Sequence, residues 1–196
     1  MKETVDKKSC GSSKKLNGLT SHYSLKSGGN AGSGIDSGGN AVRSNVYLGL
    51  GSNMGDREKT LIDAIGMLGD MNNTEVAAVS PFYATSPWGY AEQPDFLNCA
   101  VLIHTSLSPH AVLEACMDIE RRLGRVRAVR WGPRVIDLDI LFYDNLVLKD
   151  EKLEIPHPLL HEREFVLLPL KDIAPDFVHP VFGVTISRLY EKFCGK

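Results

Sequence analysis

The stretch "RWGPRVIDLDILFYD", residues 130–144, constrains the fold more than any other part of the chain. Val135, Ile136, Leu138, Ile140, Leu141 and Phe142 are the branched and aromatic residues that strands favour. Within a strand, residues i and i+2 point to one face. Asp137 and Asp139 therefore share a face, while Ile136, Leu138 and Ile140 turn the other way, toward a core. Two carboxylates so close repel each other, so a cation must lie between them or water must bathe them.

The same periodicity rules extend along the chain. "NVYLGLGS" reads as a strand breaking into a Gly-rich turn, and "DREKTLIDAIGMLGDM" places Leu61, Ile62, Ile65 and Leu68 at helical spacing. "TEVAAVSPFYAT" reads as a second strand, in which Pro81 marks an edge or bulge. "FLNCAVLIHT" is a third strand. In "SPHAVLEACMDIERRLGR", Ser108 is an N-cap, Pro109 opens the helix and Gly124 follows its end. "VIDLDILFY" is the fourth main strand, and "REFVLLPLKDIAP" is a short helix stopped near Pro175. The order strand, helix, strand, strand, helix, strand is a split βαβ pattern. It predicts an α+β, ferredoxin-like fold with an antiparallel sheet, flanking helices and long active-site loops.

Residues 1–44 are different in kind. "SLKSGGNAGSGIDSGGNAVRS" offers almost nothing to bury, and the segment carries seven Lys/Arg against three Asp/Glu. It reads as a disordered Gly/Ser-rich tail ahead of one domain spanning 45–196. Its removal is expected to leave stability and activity unchanged. It lacks the apolar run of a signal peptide and the Arg-rich, acid-poor pattern of a transit peptide. Cys10, Cys99, Cys116 and Cys194 show no CxxC pair and no close His, so free thiols in the reducing cytoplasm are expected. No apolar run approaches membrane-spanning length. The net charge of −2 argues neither for nor against a nucleic-acid partner.

Gly49, Gly51 and Gly55 follow a strand and precede a helix, but their GxGxxxG spacing is not the dinucleotide fingerprint, and no Lys-Ser/Thr closes a P-loop. A tight turn with a helix cap at Asn53 or Asp56 fits better, with close backbone approach to a ligand as the functional alternative. "RRLGRVRAVRWGPR" gathers Arg121, Arg122, Arg125, Arg127, Arg130 and Arg134 just ahead of the aspartate pair. Arginine suits planar phosphate recognition, and Mg2+ takes one or two carboxylates plus phosphate oxygens and water. A metal–polyphosphate site follows from the two together. "ATSPWGYAEQPDFLNCA" brings Trp88, Tyr90 and Phe96 beside Thr85, Gln93 and Asn98, which suits a flat heterocycle with a face to stack and an edge to hydrogen-bond. An RNA-binding module is disfavoured, because its stacking aromatics belong on the sheet face and the aspartates would repel phosphate.

Five stretches taken in order, "LGLGSNMGD", "FYATSPWG", "QPDFLNCAV", "GRVRAVRWGPRVIDLDIL" and "IPHPLLHEREFVLLPL", resemble the 6-hydroxymethyl-7,8-dihydropterin pyrophosphokinase family of folate biosynthesis. The resemblance covers Asn45 to about Pro175 and implies the same ferredoxin-like fold. It implies transfer of pyrophosphate from ATP to the pterin hydroxymethyl group, with release of AMP. By the same resemblance, Asp137 and Asp139 coordinate two Mg2+ ions, and Phe96 and Phe165 sandwich the pterin. Thr85 and Asn98 bind its polar edge, helped by the backbone near Trp88. Arg125 and Arg134 are the phosphate-contacting arginines, with Trp131 closing their loop and Arg127 nearby. His157 and Arg163 bind ATP phosphates, and Glu120 and Ile140 line the nucleoside pocket. The implied partners are ATP and the pterin, with neither nucleic acid nor membrane, in a cytoplasmic monomer or weak dimer.

Overall fold

The computed structural model describes residues 14–16, 43–87, 92–125 and 132–195. At its centre β2 (Ser44–Ser52) pairs antiparallel with β5 (Phe96–Thr105) on one side and with β6 (Asp137–Tyr143) on the other. The outer edge of β5 is shared by β3 (Thr74–Val79) and β4 (Phe82–Thr85). With α1 (Arg57–Gly69) after β2 and α2 (Pro109–Arg122) after β5, this is the ferredoxin-like α+β order. The single second strand expected from 74 to 85 is two strands. Pro81 cannot donate to a ladder, and Ser80 seals the break: its N–H donates to Ala100 O (2.9 Å) and its Oγ accepts from Ala100 N–H (2.9 Å).

The helices on one face form where their caps allow. Asp56 Oδ1 accepts from Lys59 N–H (3.0 Å) to open α1, and Ser108 Oγ accepts from Ala111 N–H (3.3 Å) to open α2. Gly124, at φ +87°, ends the segment after α2 in a conformation that favours glycine. Leu61, Ile65 and Leu68 from α1 and Val112, Cys116 and Ile119 from α2 pack on Val46, Leu48, Leu50, Leu138 and Ile140. Each such buried aliphatic stabilises the fold by roughly 1.5–3 kcal/mol.

The opposite face is only partly covered. α3 (Glu164–Ile173) and α4 (Ile186–Cys194) lie over one half, where Val166, Leu167, Leu170, Ile186 and Leu189 pack on Ala100, Leu141 and Phe142. α4 was not expected from the sequence; its buried residues Ile186 and Leu189 follow a Thr185 N-cap. A two-stranded ribbon, β7 (Leu148–Lys149) and β8 (Glu154–Ile155), leads to a single 3-10 turn at Leu160–Glu162. Among the described residues, no helix is long and apolar enough to cross a membrane.

Two expectations about the chain ends need correction. Within the supposedly structureless residues 1–44, β1 (Lys14–Leu16) pairs antiparallel with β4 and adds a strand to its outer edge. A three-residue pairing of this kind needs only a free sheet edge and carries no apolar periodicity to be read. Cys194 is disulfide-bonded, not a free thiol. Cys99 and Cys116 are free and buried, and burial pushes both thiols far above their ordinary range, leaving them inert.

Buried His179 caps the loop before α4. Its Nδ1 accepts from the N–H groups of Val181 (3.2 Å) and Phe182 (3.3 Å), and its ring lies against Phe182 and Phe142. Burial, with His161 nearby, lowers its pKa from 6.5 to about 4. Between those values the unfolded chain binds a proton that the folded chain refuses, so stability is lost as the pH falls. Acidification from pH 7 to pH 5 should cost about 1–2 kcal/mol through this group. Denaturant melts of the native protein and His179→Gln check this: the variant should show a shallower pH slope.

Candidate active site

The uncovered half of the second sheet face holds a cavity of about 280 Å³. The alternation of β6 builds its acidic wall: Asp137, Asp139 and Leu141 face the cavity, while Leu138 and Ile140 enter the core opposite. β2 contributes Gly49 and Gly51 to the floor. These glycines lie inside the strand and not in a turn, and they serve close approach. A Cβ on Gly51 would stand 2.7 Å from Asn98 Oδ1, so only glycine lets that amide lie flat on the sheet. Asn98 Nδ2 in turn donates to Thr85 Oγ1 (2.7 Å), and Phe96 and Gln93 line the same end. Phe165, from the first turn of α3, completes it.

The other end is a charge cluster. Asp137 Oδ1 accepts from Arg125 Nη1 (2.6 Å), and Asp137 Oδ2 accepts from Arg134 Nη1. Arg125 also donates to Glu120 Oε1, which accepts from Leu138 N–H (2.8 Å). Buried Glu120 therefore fixes both an arginine and the start of β6 from behind. Asp139 stands beside Asp137 on the same strand face. Burial first, and then the Asp137 charge, hold its carboxyl well above the ordinary range, against the pull of Arg163 and Arg134. The His157 N–H donates to Leu141 O (3.0 Å), and its Nδ1 accepts from Leu159 N–H (3.2 Å). Burial, aided by Arg163, lowers the His157 pKa to about 4, so the ring is neutral near pH 7.

Among the described residues, no group of three or more His, Cys, Asp or Glu gathers around one point. Asp137 and Asp139 alone cannot enclose a metal. They do match the partial carboxylate set that Mg2+ uses when phosphate oxygens and water complete its shell, and a cation would relieve the cost that Asp139 carries.

The cavity thus gathers Thr85, Phe96, Asn98, Arg125, Arg134, Asp137, Asp139, His157, Arg163 and Phe165 from the sequence-derived set. It leaves out two. Ile140 points into the core, because strand alternation turns its side chain away from its aspartate neighbours, and Glu120 stands behind the wall on α2. Trp88, Arg127 and Trp131 lie outside the described residues. Gln93, which the sequence placed beside a heterocycle edge, lines the cavity, as do Gly49 and Gly51, for which it offered close approach to a ligand; Leu141 lines it too and was read only as a strand residue. The clue for the glycines was their i, i+2 spacing, which puts both on one strand face.

The family model described as 7,8-dihydro-6-hydroxymethylpterin-pyrophosphokinase matches residues 47–175. The chain belongs to this family. A Methylorubrum extorquens pyrophosphokinase, named as acting on 2-amino-4-hydroxy-6-hydroxymethyldihydropteridine, is 51% identical over 147 residues, covering 75% of this chain and 92% of its own. The Dictyostelium discoideum folic acid synthesis protein FOL1 is 45% identical over 150 residues, or 76% of this chain, but only 22% of that longer protein. A solved Plasmodium falciparum HPPK-DHPS structure has a TM-score of 0.62 at 18% identity, over 77% of this chain and 45% of that one. That similarity supports the pyrophosphokinase fold. Every cavity residue named above falls inside the matched family span.

Gly51→Ala should push Asn98 off Thr85, with a penalty of about 1–3 kcal/mol typical of overpacking. Gly49→Ala should cost less, because its Cβ would meet only the flexible end of Leu141 at 3.4 Å. Thermal melts of both variants, with the Asn98 side-chain amide followed by NMR, check the ordering.

Proposed function

We infer that the chain transfers a pyrophosphoryl group from ATP to the hydroxyl of 6-hydroxymethyl-7,8-dihydropterin, as a folate-synthesis pyrophosphokinase. The observation that carries this reading is the union, in one cavity, of an aromatic–amide end and an arginine–aspartate end. The pterin ring lies between Phe96 and Phe165, its polar edge on Asn98 and Thr85. The triphosphate lies at the charged end. The hydroxyl oxygen bonds to the β-phosphorus, the bond from that phosphorus to the α–β bridging oxygen breaks, and AMP leaves with that oxygen. The hydroxyl proton passes to solvent or phosphate.

The protein's part is positioning and charge. Arg125 and Arg134 hold Asp137 in the free protein. We place them on phosphate oxygens in the loaded one, where they offset charge on the transferring group. Asp137 and Asp139 would then hold Mg2+, two ions by family likeness, and the metal would polarise the phosphoryl oxygens. His157 acts as a neutral hydrogen-bond donor through Nε2, and Arg163 adds a cation beside the phosphates. Glu120 acts from behind, by aiming Arg125.

Incubation with ATP, Mg2+ and the pterin should yield AMP in step with pterin consumption, and ADP as the product would contradict the reading. Phe96→Ala and Phe165→Ala should each weaken pterin binding by roughly 1–3 kcal/mol, from lost stacking and apolar contact. ATP affinity should change far less. Equal losses for both ligands, measured by calorimetry, would contradict the ring slot.

A further inference from the structure

β4 is four residues long, and the aromatic–amide end of the cavity depends on it in three ways. Its ladder with β5 sets Thr85 opposite Phe96 and Tyr83 opposite Asn98. Thr85, 6% exposed, accepts the Asn98 amide on its Oγ1 (2.7 Å). The hydroxyl of buried Tyr83 donates to Asp172 Oδ2 (2.5 Å) on α3, the helix whose first turn carries Phe165. The charged end draws on none of these. Asp137 and Asp139 stand on β6, at the far side of the sheet beyond β5 and β2.

A strand this short opens easily when only one of its edges is paired. Pro81 breaks the chain ahead of β4, so β3 does not extend into it. The inner edge of β4 has three ladder pairs, all with β5. The outer edge is completed by β1, which sets Lys14 opposite Ala84, Lys15 opposite Tyr83 and Leu16 opposite Phe82. β1 thereby turns β4 from an edge strand into an interior one. It also ends the sheet there, because exposed Lys14 and Lys15 blunt the new edge against a further strand.

We propose that β1 is a positioning strand for the pterin: by pairing with β4 it holds Thr85 and Asn98 in place, and so sets affinity for the ring and not for the nucleotide. This rests on the proposed function for the identity of the two ligands. The N-terminal segment is then not neutral to activity, against the expectation from its composition.

The test uses full-length variants. In an antiparallel pair alternate residues aim their N–H at the partner strand, so one of the neighbours Lys15 and Leu16 donates to β4. Replacing both, Lys15→Pro with Leu16→Pro, must therefore remove a ladder bond. Lys14→Ala with Lys15→Ala removes both charges and keeps the backbone ladder. Calorimetry gives the affinity for α,β-methylene-ATP with Mg2+, and then for 6-hydroxymethyl-7,8-dihydropterin with that analogue present throughout. The methylene group replaces the bridge that the reaction would break, so no turnover intrudes. The proline variant should bind pterin about fivefold more weakly, the size that one lost net hydrogen bond carries, and should bind the analogue like native protein. The alanine variant should match native protein for both. In native protein, pterin should slow amide hydrogen exchange at residues 14–16 together with 82–85, and this decides the matter if the proline variant does not fold. Native pterin affinity in the folded proline variant overturns the proposal, as do equal losses for both ligands or exchange at 14–16 that pterin leaves unchanged. Native protein that binds no pterin overturns the functional reading itself.

Discussion

Asp137 is gripped through both carboxylate oxygens, one by Arg125 and one by Arg134. The rest of the site depends on this grip. Without ligand, the arginines neutralise an aspartate whose strand-mate Asp139 is already costly to ionise. We propose that a bound triphosphate would offer the same arginines a better anion and free the two carboxylates to hold a metal. One set of charges would then be satisfied in both states by a change of partners. Glu120 would keep that exchange local, because it ties Arg125 and Leu138 N–H to α2.

The fold supplies what this arrangement needs. A ferredoxin-like sheet has two faces, and here α1 and α2 fill one with aliphatic side chains. α3 and α4 cover only half of the other. The remaining half would be an exposed sheet if Gly49 and Gly51 did not leave it recessed, with Asn98 laid across Gly51. The cavity is therefore a defect in coverage, sited where three neighbouring strands present Gly, Asn and Asp on one face.

Much of this was legible in the sequence for physical reasons that can be named. The facing of Asp137 and Asp139 follows from strand periodicity, and β6 observes it. Ser108, Pro109 and Gly124 marked the bounds of α2, since capping is local chemistry. What escaped depended on tertiary partners. Asn53 looked like a turn residue, because Gln93 and Arg134, the partners of its amide, lie about forty and eighty residues away. β1 and α4 escaped because a three-residue edge strand and a short helix take their stability from what they dock on. Ile140, placed in a nucleoside pocket by family likeness alone, packs in the core, because the alternation that faces Asp139 to the cavity turns its side chain away. Cys194 was taken for a thiol because nothing in its spacing points to a partner.

We propose that the aspartate pair works as a metal seat only in partnership with bound phosphate. The most direct measurement is the affinity for α,β-methylene-ATP with and without Mg2+, in native protein and in Asp137→Asn and Asp139→Asn. Mg2+ should tighten binding to native protein by about tenfold or more, as expected for a charge-neutralising cation at a phosphate site. That gain should largely vanish in each variant. The metal-free thermal midpoint of Asp139→Asn should stay at or above the native value because carboxylate repulsion is relieved, whereas Asp137→Asn should lose stability with its ion pairs to Arg125 and Arg134. A full Mg2+ gain in the variants, or a marked loss of metal-free stability in Asp139→Asn, would contradict this and make the pair a structural feature of β6.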